Sequence, residues 1–134
     1  MIVFFDRDIG TGVPKALRLV GFREQVRWLE LQYQSVPGGG GVVGDDQWIE
    51  LVGNRGWLAV SENVRILDNP DERNLIREHN AGLVFLRAAK LKNADVLAFM
   101  LRRMKWFEEL DSKARPFAFV TGLRSGPTEV DLEA

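Results

Sequence analysis

Ile2-Val3-Phe4-Phe5-Asp6-Arg7-Asp8 opens the chain as four apolar residues that run straight into a carboxylate. In open parallel α/β sheets, ligands and metals gather at the carboxyl ends of the strands, so a strand ending in Asp6 puts an acid where chemistry is done. Working outward, Gly10-Thr11-Gly12 breaks the pattern and Pro14 suits a helix start, where its missing N–H is an orphan anyway. Ala16, Leu17, Leu19 and Val20 form an apolar stripe with Gly21 as its stop. From Glu24 to Leu31, Val26 and Trp28 alternate with charged residues in the manner of a strand covered on one face. Strand, helix and strand within about 30 residues are the sign of a parallel crossover unit.

The rest of the chain repeats the alternation. Asp45-Asp46 opens a short helix with Trp48, Ile49 and Val52 as its buried stripe, and Gly53 or Gly56 ends it. Trp57 to Val60 reads as a short buried strand that feeds polar residues at its end. Asn69-Pro70-Asp71-Glu72 starts the next helix, with Asn69 as cap, Pro70 in first position and Glu72 placed as in a capping box. That helix carries Leu75 and Ile76, ends near Asn80 to Gly82, and leads into the strand Leu83 to Leu86. The longest helix spans about Asn93 to Leu110, where Val96, Leu97, Met100, Leu101, Met104, Phe107 and Leu110 recur at helical spacing. Phe117 to Thr121 and Thr128 to Leu132 form a closing hairpin through a turn at Gly126-Pro127. The expected fold is an α/β sandwich with a mainly parallel sheet.

Composition bounds the chemistry. With 134 residues, 46% of them hydrophobic, the chain suffices for one domain, residues 1–134, with an ordinary core. A net charge of −1 leaves no overall cationic field to drive non-specific nucleic-acid binding, so any such contact must be local. With no cysteine there is neither a disulfide framework nor a zinc-thiolate site, and His79, the single histidine, excludes a multi-histidine cage. Oxygen ligands remain, and these favour Mg²⁺ or Mn²⁺. No segment approaches the roughly 18 apolar residues that span a bilayer, so the expectation is a soluble cytoplasmic protein with no membrane partner. The run Gly38-Gly39-Gly40-Gly41 after Pro37 reads as a plain loop, since the lysine and hydroxyl residue of a phosphate-binding loop do not follow it.

Three polar clusters, Asp6/Asp8, Asp45/Asp46 and Glu62/Asn63, fall at a strand end, a helix start and another strand end, which a parallel sheet can bring to one edge. Converging carboxylates raise one another's pKa unless a cation neutralises them. A divalent ion held there would suit hydrolysis of a phosphodiester. First-turn acids also stabilise a helix, so Asp45 and Asp46 have a structural reading as well. Asp8 and Glu72 read as turn and capping residues, and the tryptophans read mainly as core, with Trp106 the best candidate for base stacking.

The run Phe5-Asp6-Arg7-Asp8 followed by Gly-Val-Pro-Lys-Ala-Leu, then Asp45-Asp46-Gln47-Trp48-Ile49, Gly56-Trp57, Ser61-Glu62-Asn63 and Asn69-Pro70-Asp71-Glu72, resembles the PIN-like domains of the VapC-type toxin group. The resemblance extends over nearly the whole chain, to the hairpin that begins Arg115-Pro116-Phe117. It implies a three-layer PIN-like sandwich and a Mg²⁺- or Mn²⁺-dependent endoribonuclease, the toxin half of a bacterial toxin-antitoxin pair. Its partners would be an RNA substrate and a cognate antitoxin, with a homodimer as a further option. Carried onto this sequence, the site would be Asp6, Asp45 and Asn63, with the metal on Asp6 and Asp45 and Asp46 as a close substitute.

The third acid of that group ends a Thr-x-Asp motif, where this chain has Ser61-Glu62-Asn63. A neutral amide oxygen binds a divalent cation more weakly than a carboxylate, so attenuated activity is expected. The rival reading is a catalytically inactive module that keeps the RNA- or antitoxin-binding surface. Glu62 is the nearest compensating acid, yet neighbouring strand residues point to opposite faces. Arg7, Arg102, Arg103 and Lys105 are candidates for RNA or antitoxin contact, against a solvated helix face for the last three. A phosphoryl-acceptor regulator also ends its first strand in an acid, but needs a late-strand lysine that Arg87-Ala88-Ala89-Lys90 does not supply.

Overall fold

A computed structural model describes residues 1–28, 43–87 and 90–133. Six strands make one sheet in the order β2-β1-β3-β4-β5-β6, with every pairing parallel except the last. They are β1 (Val3–Phe5), β2 (Val26–Trp28), β3 (Leu58–Ser61), β4 (Gly82–Leu86), β5 (Phe117–Thr121) and β6 (Thr128–Glu129). Among the described residues four α-helices flank them: α1 (Gly12–Leu17), α2 (Asp45–Arg55), α3 (Pro70–Glu78) and α4 (Asn93–Asp111). The central strands β1, β3 and β4 are buried on both faces, and they read as nearly continuous apolar runs for that reason, whereas the edge strand β2 carries the half-buried Arg27.

The alternation of side chains along each strand divides the interior into two cores. Phe5, Val60, Val84 and Phe117 face α1 and α4, where Val13, Leu17, Phe99, Met100 and Phe107 meet them. Phe4, Ala59, Phe85 and Ala118 face α2 and α3, where Trp48, Ile49, Val52 and Ile76 lie. Phe4 stacks on Trp48 with ring centroids 5.9 Å apart. The result is the α/β sandwich with a mainly parallel sheet that the sequence pattern predicts, in the three layers that the resemblance implies.

Several local readings need correction. The α1 stripe is Val13, Pro14 and Leu17, whereas Leu19 and Val20 are exposed, because the chain leaves regular helix in a π turn over Arg18–Phe22 with Gly21 at φ +117°. The strand expected over Trp57 to Val60 runs one residue later. Gly56 adopts the left-handed conformation that ends α2, and Trp57 N–H still donates to Val52 O, so pairing starts when Leu58 N–H reaches Ile2 O. In α4, Leu101 is exposed and Phe99 is buried in its place. Trp106 is no free stacking platform: it packs edge-on against Phe107 and Phe119. The final hairpin forms, but its second strand is only Thr128–Glu129. The glycine-rich run at 38–41 and the end of the Glu24 to Leu31 segment lie outside the described residues.

The sheet order fixes where ligands gather. From β1 the chain steps to β2 on one side and then to β3 on the other, so the carboxyl ends of β1 and β3 flank a topological switch point, the place where crevices open in sheets of this kind.

Candidate functional site

Asp6 leaves β1 directly into that crevice. Its backbone N–H extends the ladder to Val60 O at 3.0 Å, and its side chain is buried, with 3% relative exposure. Ser61, the last residue of β3, lies alongside and donates Oγ to Asp6 Oδ2 at 2.7 Å. The same Oγ accepts the backbone N–H of Asn63 at 3.0 Å. Ser61 therefore ties the end of β3 and the turn after it to the acid of β1. Burial pushes the Asp6 carboxyl up to about 6, with Asp8 and Asp45 adding repulsion and the Ser61 hydroxyl opposing the shift.

Asp45 reaches the crevice from the first turn of α2. Trp48, one helical turn along the same face, donates Nε1 to Asp45 Oδ1 at 2.9 Å, while its ring is fully buried on Phe4. Asn63 donates Nδ2 to Asp45 Oδ2 at 3.2 Å. Position 63 thus joins Asp45 through a hydrogen bond, in the place where a third aspartate would repel it. Asp46 is exposed and folds back, its Oδ1 lying 2.7 Å from where a Cβ on Gly44 would stand. Of the two first-turn acids, Asp45 is the one held at the crevice.

Glu72 joins the cluster from the start of α3, beyond the role its capping pattern suggests. Asn69 caps the helix by accepting Asp71 N–H at 2.9 Å, and its Nδ2 donates to Glu72 Oε1 at 3.2 Å. The Glu72 carboxyl is pushed upward by burial and by the neighbouring Asp45, with Asp46 adding to it. A side-chain hydrogen bond with the Asp45 carboxyl, which needs a proton on one of the two acids, raises it further. The sequence signal was present in the i, i+3 spacing of Asn69 and Glu72, but that spacing equally describes a plain cap. Trp48 was legible only as core, because the same ring both packs and donates.

Glu62 faces the other way. Burial and Asp8 raise its pKa, and with Asp8, Lys90, Lys92 and Asn93 it lines a cavity of about 450 Å³ on the α1/α4 side of the edge. Of the cationic candidates, Arg7 is exposed in the turn that follows Asp6. Arg102 donates to Leu123 O at 2.6 Å, and Arg103 and Lys105 lie with it on α4, which packs on the face of the sheet opposite α2 and Asp45.

The donors at the crevice are all oxygen, and the set fits a hard divalent cation in kind. The close approach of the Glu72 and Asp45 carboxyls and the mutual repulsion of Asp6, Asp8 and Asp45 both favour positive charge there. Among the described residues, however, no group of three or more acids or histidines stands close enough to form a ready-made cage. No described helix is long and apolar enough to cross a membrane.

The architecture is a mixed α/β sandwich with a mostly parallel sheet and acids at its switch point. A sequence model of the PIN like domain matches residues 1–88, about two thirds of the chain, and the protein belongs to that family. PIN-like domains are generally nucleases, and such nucleases typically use divalent metals. The match ends after β4, so α4 and the final hairpin lie beyond it. No curated protein and no solved structure matches the chain.

Proposed function

We propose that this protein is a metal-dependent endoribonuclease of the toxin type, attenuated by Asn63. The observation that carries the reading is the convergence of Asp6, Asp45 and Asn63 at the switch point of a PIN-like fold, knitted together by Ser61 and Trp48. Asp6, Asp45 and the amide oxygen of Asn63 would hold Mg²⁺ or Mn²⁺, with Glu72 and Asp46 adjacent. A divalent ion at this position supplies Lewis acidity toward a phosphodiester and makes a nearby water more acidic.

The chain's own residues do the rest. Ser61 fixes the orientation of Asp6, and Trp48 fixes Asp45, so neither carboxylate needs to reorganise when substrate arrives. Asp6, whose carboxyl burial raises to about 6 in the cation-free fold, would be held ionised by the cation and would position it. Arg7, beside the crevice, would meet a substrate phosphate. The biological setting that goes with this reading is a cytoplasmic toxin held by an antitoxin, as a monomer or homodimer.

A second reading is favoured by one specific observation. Asn63 donates to Asp45, and that hydrogen bond neutralises part of the charge a cation would otherwise balance. In that case the protein is a catalytically silent RNA- or antitoxin-binding module. Cleavage of a mixed tRNA and structured-RNA pool, with Mn²⁺ and with EDTA, by the chain and by Asp6→Ala separates the two. Turnover that requires both Mn²⁺ and Asp6 supports the nuclease, and equal inertness of both proteins supports the silent module.

A further inference from the structure

The carboxyl edge of the sheet changes character beyond β3. At β1 and β3 it is acidic, whereas at β4, β5 and β6 a cavity of about 470 Å³ is lined by Arg87, Thr121, Ser125, Gly126, Thr128 and the apolar Val120 and Val130. No acidic residue is among the described residues that line it. Register puts it on the same face as the acids. Ser61 pairs with Phe85 and Phe85 with Val120, and Phe85 and Val120 belong to the core under α2 and α3. Arg87 lies two residues past Phe85, and its backbone N–H continues the ladder to Thr121 O at 2.9 Å. The base of its side chain is therefore fixed by the sheet, while the side chain itself is exposed.

The turn after β5 is internally satisfied. Thr121 Oγ1 lies 2.8 Å from Gly122 O and 3.1 Å from Ser125 O, and Gly122 N–H donates to Ser125 Oγ at 3.1 Å. Ser125, whose Oγ accepts that bond, lines the cavity together with Arg87. A cation, a hydroxyl group and two valines form a site for a phosphate with an apolar wall for the sugar or base attached to it.

From these features the geometry points to a nucleotide subsite over β4 and β5 that holds the single-stranded RNA backbone on one side of the scissile phosphate, with Arg87 as its phosphate-binding residue. This rests on the ribonuclease reading above and adds where the strand runs. Neighbouring strands stand roughly 4.8 Å apart and β4 and β5 lie two and three strands from β1, so the subsite lies about 10 to 14 Å from Asp6, or about three to four nucleotides at the 3.4 Å rise of a stacked strand.

The test is binding of a fluorescein-labelled single-stranded 12-nucleotide RNA in EDTA, read by anisotropy across a salt series. EDTA removes cleavage from the measurement, so the subsite and the nuclease reading fail separately. Arg87→Gln should weaken binding roughly tenfold and reduce the slope of log affinity against log salt by about 0.7. A second variant guards against a folding artefact. A Cβ added at Gly126 meets nothing within 4 Å and its φ is not in the left-handed region, so Gly126→Glu puts a carboxylate into the cavity without disturbing the backbone. It should weaken binding at least as much as Arg87→Gln with an unchanged melting temperature, whereas Lys105→Gln, on the opposite face, should leave affinity within about twofold. Unchanged affinity and salt slope in both cavity variants, or no RNA binding by the unaltered chain, would overturn the subsite. Binding that needs Arg87 in a chain that never cleaves would leave the subsite standing and count against the nuclease.

Discussion

Asn63 donates its side-chain amide to the carboxylate of Asp45, Nδ2 to Oδ2, at 3.2 Å. The residue standing where the third acid belongs therefore does part of a cation's work, because it supplies a positive hydrogen to a carboxylate that would otherwise face repulsion. Replacing it by aspartate removes that donor and adds a charge. Asn63→Asp should lose about 1 to 2 kcal/mol in EDTA, a fall of several degrees in melting temperature. Millimolar Mn²⁺ should restore it. A Mn²⁺-dependent rise in melting temperature no larger than that of the unaltered chain would count against a cation site at Asp45.

Asp6 predicts a pH-dependent stability with a definite sign. Its carboxyl is raised from 3.8 to about 6 in the fold, mainly by burial, so between those values the folded state binds more protons than the unfolded state. Stability must fall as pH rises through that window, by an amount on the order of 2 to 3 kcal/mol, and then level off. Asp6→Asn keeps an acceptor for Ser61 but does not titrate. Denaturant unfolding should show the variant gaining on the unaltered chain from pH 4 to pH 6.5, and a constant difference across that range would contradict the assignment.

Trp48 joins core to site, and the two roles can be separated. Trp48→Phe keeps an aromatic ring against Phe4 but removes the Nε1 donor to Asp45, and should cost about 2 to 4 kcal/mol between the lost charge-assisted bond and the smaller ring. Phe4→Leu disturbs the same stack from the other side. Mn²⁺ affinity measured by calorimetry should drop in Trp48→Phe and hold in Phe4→Leu, and equal losses in both would reduce Trp48 to a packing residue.

The contact of α2 with α3, which sets Asp45 beside Glu72, depends on a missing side chain. A Cβ on Gly53 would stand 2.1 Å from His79 O, the carbonyl at the end of α3. Gly53→Ala should destabilise by about 1 to 3 kcal/mol despite the better helix propensity of alanine. Chemical denaturation that finds the variant equal or more stable would mean the helices separate at no cost.

The fold was legible where one signal dominated. Phe117–Thr121 is a strand over the bounds its sequence suggests, because an apolar run closed by turn residues has few other readings. Asn69-Pro70 announced α3, since cap and first-turn proline agree. Trp57 misled by one residue, because its bulk reads as strand while its N–H still serves the helix before it. Leu19 and Val20 misled through periodicity, which cannot foresee a π turn.

At the site, strand-end position singled out Asp6, and helix-start position singled out Asp45. What spacing could not give was the convergence of Glu72, which depends on how α3 packs against α2, or the cationic cavity, which draws Arg87 from the end of β4 and Ser125 from the turn after β5. The run at 102–105 drew attention because its charges are consecutive in sequence, yet α4 carries them on the other face of the sheet.

Mn²⁺-dependent cleavage of a tRNA and structured-RNA pool by the unaltered chain, Asn63→Asp and Asp6→Ala, side by side, tests the central claim most directly. The account predicts weak cleavage by the unaltered chain, a rise of at least tenfold with Asn63→Asp and none with Asp6→Ala, since a carboxylate in place of the amide completes the oxygen set around the cation. Cleavage that persists in Asp6→Ala, or three proteins equally inert in Mn²⁺, would contradict it.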